Sequence, residues 1–294
     1  MLFPLFGKSI KIKDKGCAIG SSKPGSIAPS VNLFVKVTDA CNAHCRFCSN
    51  AGKSCTYGIF NLEKLSDIIK ELQVNNILVN RINITGGEPS VVPNLVNDIL
   101  LLLNRDEFQG IHVHLNTNGL LPESKELMRH SRWDSISISL HHYNRDKLSE
   151  LYGKPTLDNP FDFSGVNLDK VNASCNLIKG YIDDEDSVEK MMRFAIGLSL
   201  PRLGFVALMK TNDYCIEHYI DFSDVSWGRI PHLYFTESRN RGEDCKCSNY
   251  LYNHDGKILE IYMRNYINFK YCESSLLYDG TFLRQGFHDD NIIF

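Results

Sequence analysis

Three cysteines near the start of the chain have a spacing that suits metal chemistry. The stretch from Cys41 to Cys48 reads Cys-Asn-Ala-His-Cys-Arg-Phe-Cys, so Cys41, Cys45 and Cys48 follow the pattern C-x3-C-x2-C. Three thiolates at this spacing can face one side of a short loop and bind three irons of a [4Fe–4S] cube. The fourth iron then has no protein ligand, and a metal with an open position can bind and activate a second molecule.

A structural zinc site is the main alternative for such a cysteine cluster. Zinc sites of this kind usually close with four protein ligands, as two cysteine pairs or as a Cys/His set. His44 lies within the spacing and Cys55 lies seven residues beyond Cys48, so either side chain could supply a fourth ligand. The three-cysteine pattern favours an iron–sulfur cluster, and a structural zinc site is the alternative.

A glycine pair follows the cysteines by one predicted strand and helix. Thr85-Gly86-Gly87-Glu88-Pro89 comes directly after an apolar run that predicts a strand. Because glycine has no Cβ, a ligand can approach the backbone there and meet its N–H and C=O groups. Taken alone, an ordinary tight turn explains the same residues.

Polar side chains and a methionine close three later predicted strands. Asn116 and Thr117 end one strand, Ser139 ends an alternating Ser-Ile-Ser-Ile-Ser run, and Met209 ends another. In (β/α) barrels the ligand-binding residues collect at the carboxyl ends of the strands. Loop capping, a hydroxyl bonded within the sheet and a core methionine are the ordinary alternatives.

The elements that hold these residues alternate along the chain. Each predicted strand is followed by a helix or a loop, which favours parallel pairing with right-handed crossovers. The fold class predicted is α/β, a partial (β/α)6 TIM-like barrel with a C-terminal auxiliary segment. Predicted strands cover residues 33–38, 82–85, 112–116, 135–140, 171–178 and 204–209, and predicted helices cover 62–72, 93–103, 122–130 and 184–198.

One segment departs from this alternation. Residues 152–169 contain two prolines and no helical period, so we expect an irregular or abbreviated fourth helix there.

Composition restricts the class of protein. The chain has 294 residues, of which 43% are hydrophobic, and a formal net charge of −3 with the signs interspersed. This fits one large domain and gives no basic field for nucleic acid or an anionic membrane. The first residues do not have the order of a signal peptide, and no apolar run approaches the roughly 20 residues needed to span a bilayer. We therefore expect a cytoplasmic protein whose ten cysteines are reduced thiols or metal ligands.

The cysteine pattern, with Phe47 before its last cysteine, resembles the radical S-adenosylmethionine (SAM) enzymes. The resemblance implies that the open iron binds the amino and carboxylate groups of SAM, and that one electron cleaves SAM to a 5'-deoxyadenosyl radical. It implies a flavodoxin- or ferredoxin-type electron donor. Gly86, Gly87 and Glu88 match the segment that binds the SAM amino group in that family, so the resemblance implies this role for them.

The same resemblance assigns roles at the later strand ends. Ser139 matches a serine that contacts SAM, and Met209 matches a methionine that borders the adenine. Asn116, Thr117 and Asn118 are expected to face the same mouth of the barrel.

Within the superfamily the chain resembles the SPASM/Twitch branch, and in it the GTP cyclase of molybdenum-cofactor synthesis. The likeness covers roughly residues 31–210. Phe34, Asn83, Asn249 and Leu251 stand where the cyclase pattern has arginines for GTP, and the chain ends in Ile-Ile-Phe where the pattern has Gly-Gly. Without these arginines a triphosphate would lose its charge-assisted hydrogen bonds to the protein, so we do not expect cyclase activity.

The resemblance also divides the chain and suggests a second cluster. Residues 1–30 form an N-terminal extension, 31–238 the radical SAM partial barrel, and 239–294 a C-terminal cap over the barrel mouth. Cys245, Cys247 and Cys272 resemble the ligands of an auxiliary [4Fe–4S] cluster, although their spacing departs from the usual C-x2-C pair. Thiols without a metal are the alternative.

The activity expected is hydrogen abstraction from a substrate. A peptide is the leading substrate, because many SPASM/Twitch relatives modify ribosomal peptides. A small metabolite such as a nucleotide, sugar or cofactor precursor is the alternative, and a non-catalytic iron–sulfur protein is the third. We expect no nucleic-acid partner and no membrane partner.

Overall fold

The computed structural model describes residues 2–12, 29–49, 60–154, 161–238, 247–265, 274–286 and 291–294. Among these residues, no helix is both long and apolar enough to cross a membrane. Cys245 and Cys272 lie outside the described residues, so their predicted role as ligands has no structural counterpart here.

The described strands and helices alternate through the middle of the chain. The strands are β1 (Leu2–Leu5), β2 (Lys8–Lys11), β3 (Ser30–Lys36), β4 (Leu78–Thr85), β5 (His112–Thr117), β6 (Ser135–Ser139), β7 (Val171–Leu177), β8 (Arg202–Ala207), β9 (Leu233–Ser238), β10 (Ser248–His254), β11 (Lys257–Arg264), β12 (Ser274–Tyr278) and β13 (Leu283–Arg284). The helices are α1 (Leu62–Val74), α2 (Pro93–Leu103), α3 (Pro122–Met128), α4 (Arg145–Tyr152), α5 (Glu185–Gly197) and α6 (Asp213–Glu217).

Strands β3 to β8 pair in parallel in chain order, and a helix follows each of them. This is the α/β arrangement with six β/α units that the sequence predicts, and it is confirmed. The helices begin where the sequence places caps: the side chain of Asn61 accepts from the backbone N–H of Lys64, and α2 begins at Pro93. The fourth helix, α4, has 8 residues and ends before residues 161–169, where the described backbone has turns and a short 3-10 helix.

The C-terminal strands extend this sheet at both edges. Strand β11 pairs in parallel with β8, and β12 pairs in parallel with β3. The described strands of the main sheet run in the order β13-β12-β3-β4-β5-β6-β7-β8-β11-β10-β9. Eight neighbouring strands in the centre of this order are therefore parallel, although the two outermost of the eight come from the C-terminal segment.

The N-terminal strands β1 and β2 form a separate antiparallel hairpin. Leu5, Ile10 and Ile12 bury their side chains in the main core. The ring of Phe6 stacks on that of Phe294 at 3.7 Å between centroids, and Lys8 Nζ donates to the carbonyl of Ile292 at 2.7 Å. The hairpin thus joins the two ends of the chain.

Alternation along the strands separates an apolar face from a polar one. The apolar residues of β5, β6 and β7 are buried in the core shared with the helices, so their neighbours point to the other face, the barrel interior. We call this interior the lumen. From these three strands it receives His112, His114 and Asn116, then Ser135, Ser137 and Ser139, then Asn172, Ser174 and Asn176.

Candidate functional site

The cysteine loop leaves the carboxyl end of β3 and is bonded to the glycine segment that leaves β4. The backbone N–H of Gly87 donates to the carbonyl of Thr38 at 2.6 Å, and that of Glu88 donates to the carbonyl of Ala40 at 2.9 Å. A Cβ on Gly87 would lie 2.2 Å from the oxygen of Ala40, and one on Gly86 would lie 2.6 Å from that of Thr38. The glycines are therefore required by the contact between the two loops, a reason that the sequence does not reveal.

The Glu88 carboxylate connects this segment to the end of β5. It is 1% exposed and accepts hydrogen bonds from the backbone N–H and hydroxyl of Ser90, the hydroxyl of Thr117 and the backbone N–H of Asn118. These distances run from 2.6 to 3.1 Å. Glu88 is predicted to bind SAM, and Thr117 is predicted to face the mouth of the barrel. In the structure, the polar groups of both side chains form hydrogen bonds within the protein.

Asn118 links the same strand end to the cysteine loop. Its Nδ2 donates to Oδ1 of Asn42 at 2.7 Å and lies 3.9 Å from Sγ of Cys41. The backbone N–H of Ala43 also donates to Cys41 Sγ, at 3.4 Å. Two N–H groups therefore lie beside the sulfur of Cys41, and donors of this kind favour the thiolate over the thiol.

The end of α4 supports the middle of the cysteine loop. The N–H of His44 donates to the carbonyl of Tyr152 at 2.8 Å, while the Tyr152 hydroxyl donates to the carbonyl of Ser139 at 2.5 Å. Gly153 caps the helix in the left-handed conformation, with φ +62°, and a Cβ there would lie 2.9 Å from the His44 oxygen. The sequence does not predict this support, because the helix that provides it carries no motif.

Phe47 lies below the loop in a small apolar cluster. Its ring meets that of His141 edge to face at 4.8 Å, and its carbonyl accepts from the buried thiol of Cys215 at 3.6 Å. Burial lowers the pKa of His141 to about 3, so its ring is neutral at physiological pH. The aromatic residue before the last cysteine therefore anchors the loop on the core.

The thiols of Cys45 and Cys41 both have raised pKa values. Burial, followed by the charges of Cys48 and Cys41, raises the pKa of Cys45 to about 12. Burial also raises the pKa of Cys41, against a backbone N–H from Ala43 that lowers it. Three thiolates would repel one another, so this donor set fits a cationic metal centre such as an iron–sulfur cluster.

The three thiols do not converge on a single point. Among the described residues, no three His, Cys, Asp or Glu side chains are gathered closely enough to hold a metal ion as they stand. Cys41 is exposed, and Cys45 and Cys48 are half-buried.

The other predicted residues lie at the same end of the barrel. Ser139 and Asn116 are half-buried on the lumen faces of β6 and β5. Met209 follows β8 by two residues, and its carbonyl accepts from the N–H of Thr211 at 2.7 Å. Cys247 is buried beside β11, where its Sγ accepts from the N–H of Asn265 at 3.3 Å.

Comparison with known proteins identifies the family. A GTP 3',8-cyclase of Alkaliphilus oremlandii is 30% identical over 163 residues, which cover 52% of this chain and 49% of that protein. The chain therefore spans about half the length of this relative. A GTP 3',8-cyclase of Peptoclostridium acidaminophilum is 26% identical over 278 residues, covering 89% of this chain and 81% of the cyclase.

A solved structure and a family profile also match this chain. The crystal structure of Streptococcus suis SuiB bound to the precursor peptide SuiA aligns with a TM-score of 0.47 and 17% identity, covering 64% of this chain and 42% of SuiB. Residues 35–195, more than half of the chain, match the profile of the Radical SAM superfamily. Members of this family use a [4Fe–4S] cluster and SAM. The chain belongs to the radical SAM superfamily and is an enzyme.

Proposed function

We propose that this radical SAM enzyme holds its cluster on Cys41, Cys45 and Cys48 and abstracts a hydrogen atom from a small organic molecule bound in the lumen. The observation that carries the proposal is the direct bonding between the cysteine loop and the segment containing Gly87 and Glu88. A cluster on that loop and SAM beside that segment would share one end of the barrel.

The chain's own residues position and shield the reactants. When bound, the cluster supplies the one electron that cleaves SAM to methionine and a 5'-deoxyadenosyl radical. The contacts of Glu88 and Tyr152 hold the cysteine loop and the ends of β5 and β6 in one arrangement, so groups bound at the loop and in the lumen would be oriented toward each other. The apolar cluster under Phe47 keeps water away from one side of the loop.

The polar lumen supports a small molecule as the substrate. A packed barrel fills its interior with branched apolar residues, whereas β5, β6 and β7 present histidine, serine and asparagine there. Hydrogen-bonding groups of this density suit a polar metabolite such as a nucleotide, sugar or cofactor precursor.

A peptide is the second candidate, and strand β9 supports it. Among the described residues β9 pairs only with β10, so its other edge is open to an extended chain. Tyr234 and Phe235 on this strand are 56% and 59% exposed and would contact the peptide's side chains.

Cyclase activity is not part of this proposal, although relatives bear that name. Phe34 and Asn83 lie side by side on the lumen faces of β3 and β4. Asn249 of β10 lies opposite Tyr262 of β11. Arginines at these positions would grip a triphosphate, and neither asparagine nor phenylalanine provides that charge. We also propose that the chain belongs to the SPASM/Twitch branch and that a flavodoxin- or ferredoxin-type protein is its electron donor.

Reductive SAM cleavage tests the ligand assignment. The protein is reconstituted with iron and sulfide without oxygen and reduced with dithionite, and 5'-deoxyadenosine and methionine are measured. The wild type should form both, and the variant with Cys41, Cys45 and Cys48 replaced by alanine should form neither. Cys175→Ala is the control, because that thiol is buried on the helix-facing side of β7. Cleavage by the triple variant would disprove the assignment.

Iron content tests the auxiliary cluster separately. Two clusters require about eight irons per chain, falling to about four when Cys245, Cys247 and Cys272 are replaced by serine. A wild type with about four irons, unchanged by these substitutions, would leave the three residues as thiols.

A further inference from the structure

Arginine side chains enter the lumen from strands that lie on both sides of it. On β8 and β11 the apolar residues Leu203, Phe205, Ile261 and Met263 are buried toward the helices. Their alternating neighbours therefore face the lumen, among them Arg202 and Arg264. Arg81 also faces the lumen, from β4. In the sheet, β4 is separated from β8 by β5, β6 and β7.

Arg264 is the most buried of these cations. It is 5% exposed, and its guanidinium lies over the ring of Tyr262 at 4.9 Å. Its Nη1 donates to the carbonyls of Met263 and Ser248 at 2.8 and 3.3 Å, and to Oδ1 of Asn249 at 3.0 Å. These bonds fix the orientation of the guanidinium plane.

The Nε of the same guanidinium has no acceptor. It is buried and makes no hydrogen bond within the described part of the chain. Arginine binds carboxylates and phosphates through two parallel N–H groups, and the Nε and Nη2 pair is one such edge. A buried cation without a counter-ion is costly, so a site of this kind is completed by an anion.

Arg202 and Arg264 form no ion pair with a carboxylate of the described residues. Arg202 donates through Nη2 to the carbonyl of Asp169, and its buried Nε also has no acceptor there. Glu260 lies across the ladder from Arg202, but it is exposed. Within the described residues, the charges of Arg202 and Arg264 are therefore not offset by an ion pair.

The Tyr262 phenol lies within electrostatic reach of three arginines. Burial raises the pKa of its phenol, whereas the positive charges of Arg264, Arg202 and Arg81 all act to lower it. The Tyr262 ring crosses Gly204 of β8, and its hydroxyl donates to the carbonyl of Ala173 on β7 at 3.4 Å. The ring thus spans from β11 to β7, with the guanidinium of Arg264 over it.

We propose that the substrate carries an oxyanion, a carboxylate or a phosphate, that binds the Nε edge of Arg264 above the Tyr262 ring. Arg202 and Arg81 do not contact this group, but their positive charges attract it into the lumen. Because Arg264 ends β11 at the same end of the parallel sheet as the cysteine loop, the anchored substrate extends toward SAM. This inference rests on the proposed use of the lumen as the substrate site and names the chemistry of what enters it.

The test measures binding of small oxyanions to the reconstituted, SAM-loaded protein. Sodium pyrophosphate and sodium glutarate serve as phosphate and carboxylate probes, with sodium chloride at equal ionic strength as the reference. Thermal stability is recorded against probe concentration, because a ligand of the folded state raises the melting temperature. At least one probe should stabilise the wild type more than chloride does, and the stronger probe identifies the class of oxyanion.

Variants assign the binding to the arginine. Arg264→Met should weaken binding of the stronger probe at least about tenfold, measured as its dissociation constant. Arg105→Met, which removes an exposed arginine after α2, should leave that constant within about twofold. Arg202→Met should weaken binding about threefold and provides a second variant if Arg264→Met does not fold.

The outcomes separate this inference from the proposed function. Equal stabilisation by chloride, or equal probe affinity in wild type and Arg264→Met, would overturn the oxyanion site. SAM cleavage by the wild-type protein is measured independently and tests the proposed function without reference to any probe.

Discussion

Gly87 lies where the two functional loops touch, and its missing side chain has a measurable consequence. Gly87→Val should raise the SAM dissociation constant at least about tenfold and lower the iron bound per chain, since a Cβ there meets the Ala40 oxygen at 2.2 Å. Both effects follow from displacement of the cysteine loop, whereas a direct contact with SAM would spare the iron. Isothermal titration and iron analysis measure them.

Gly197 provides the matched control for this substitution. It is exposed at the end of α5, and a Cβ added there would have no other atom within 4 Å. Gly197→Val should keep both iron content and SAM affinity. If Gly87→Val also retained them, the close approach of the two loops would not be required.

Glu88 supports a second prediction, which concerns stability. Glu88→Gln replaces one carboxylate oxygen by an amide NH2, which must face one of four donors at a buried position. An unsatisfied buried group of this kind costs about 1–3 kcal/mol, and we expect a loss of unfolding free energy in this range. Urea unfolding of the cluster-free protein measures it.

Glu126→Gln is the comparison for Glu88. The side chain of Glu126 is 72% exposed and pairs with Arg129 at the surface, so its change should cost less than about 1 kcal/mol. Equal losses for the two variants would show that the buried contacts of Glu88 contribute nothing beyond a surface charge.

At the level of elements, α4 determines the position of the cysteine loop. Gly153→Ala places a Cβ 2.9 Å from the His44 oxygen and strains a residue with φ +62°. Gly180→Ala places a residue at φ +87° with open space around it, so it carries the strain without the contact. Both should lose roughly 1 kcal/mol of stability, but only Gly153→Ala should also lose reconstituted iron. Equal iron content in both variants would contradict this role of α4.

The sequence predicted the elements well where periodicity is local. The helix at 93–103 agrees in both bounds with α2, and the predicted strand at 171–178 differs from β7 by one residue. The strand predicted at 204–209 is shifted by two residues, because β8 begins at Arg202 and Met209 lies beyond its end. Along β5, β6 and β7, successive residues face the lumen and the helices in turn, as the alternation of polar and apolar residues predicts.

Contacts between distant segments were not predictable in this way. The roles of Tyr152 and Gly153 depend on the cysteine loop, which lies far ahead of them in the chain and carries no signal for the contact. Likewise, the parallel pairing of β11 with β8 and of β12 with β3 depends on strands that are separated by long stretches of chain. Strand patterns indicate which face is buried, but they do not specify the neighbour.

At the level of the whole molecule, the C-terminal strands are held to the barrel by a side chain that needs a glycine. The Tyr262 ring of β11 lies against Gly204 of β8, where a Cβ would be 2.1 Å from the ring atom Cε2. Since Tyr262 and Gly204 are partners in the parallel ladder, the ring covers the neighbouring strand directly. This contact couples the packing of the C-terminal segment to the six β/α units.

A double-mutant cycle measures that coupling. Gly204→Ala alone should destabilise the protein by about 2–3 kcal/mol, because the ring must leave its place on the lumen face. Tyr262→Ala removes the ring, so adding Gly204→Ala to it should cost much less, with a coupling free energy of at least about 1 kcal/mol. Urea unfolding of the wild type, both single variants and the double variant gives the four free energies. Additive losses would mean that the glycine serves the backbone of β8 alone, and that the C-terminal strands are joined to the barrel chiefly by their ladder hydrogen bonds.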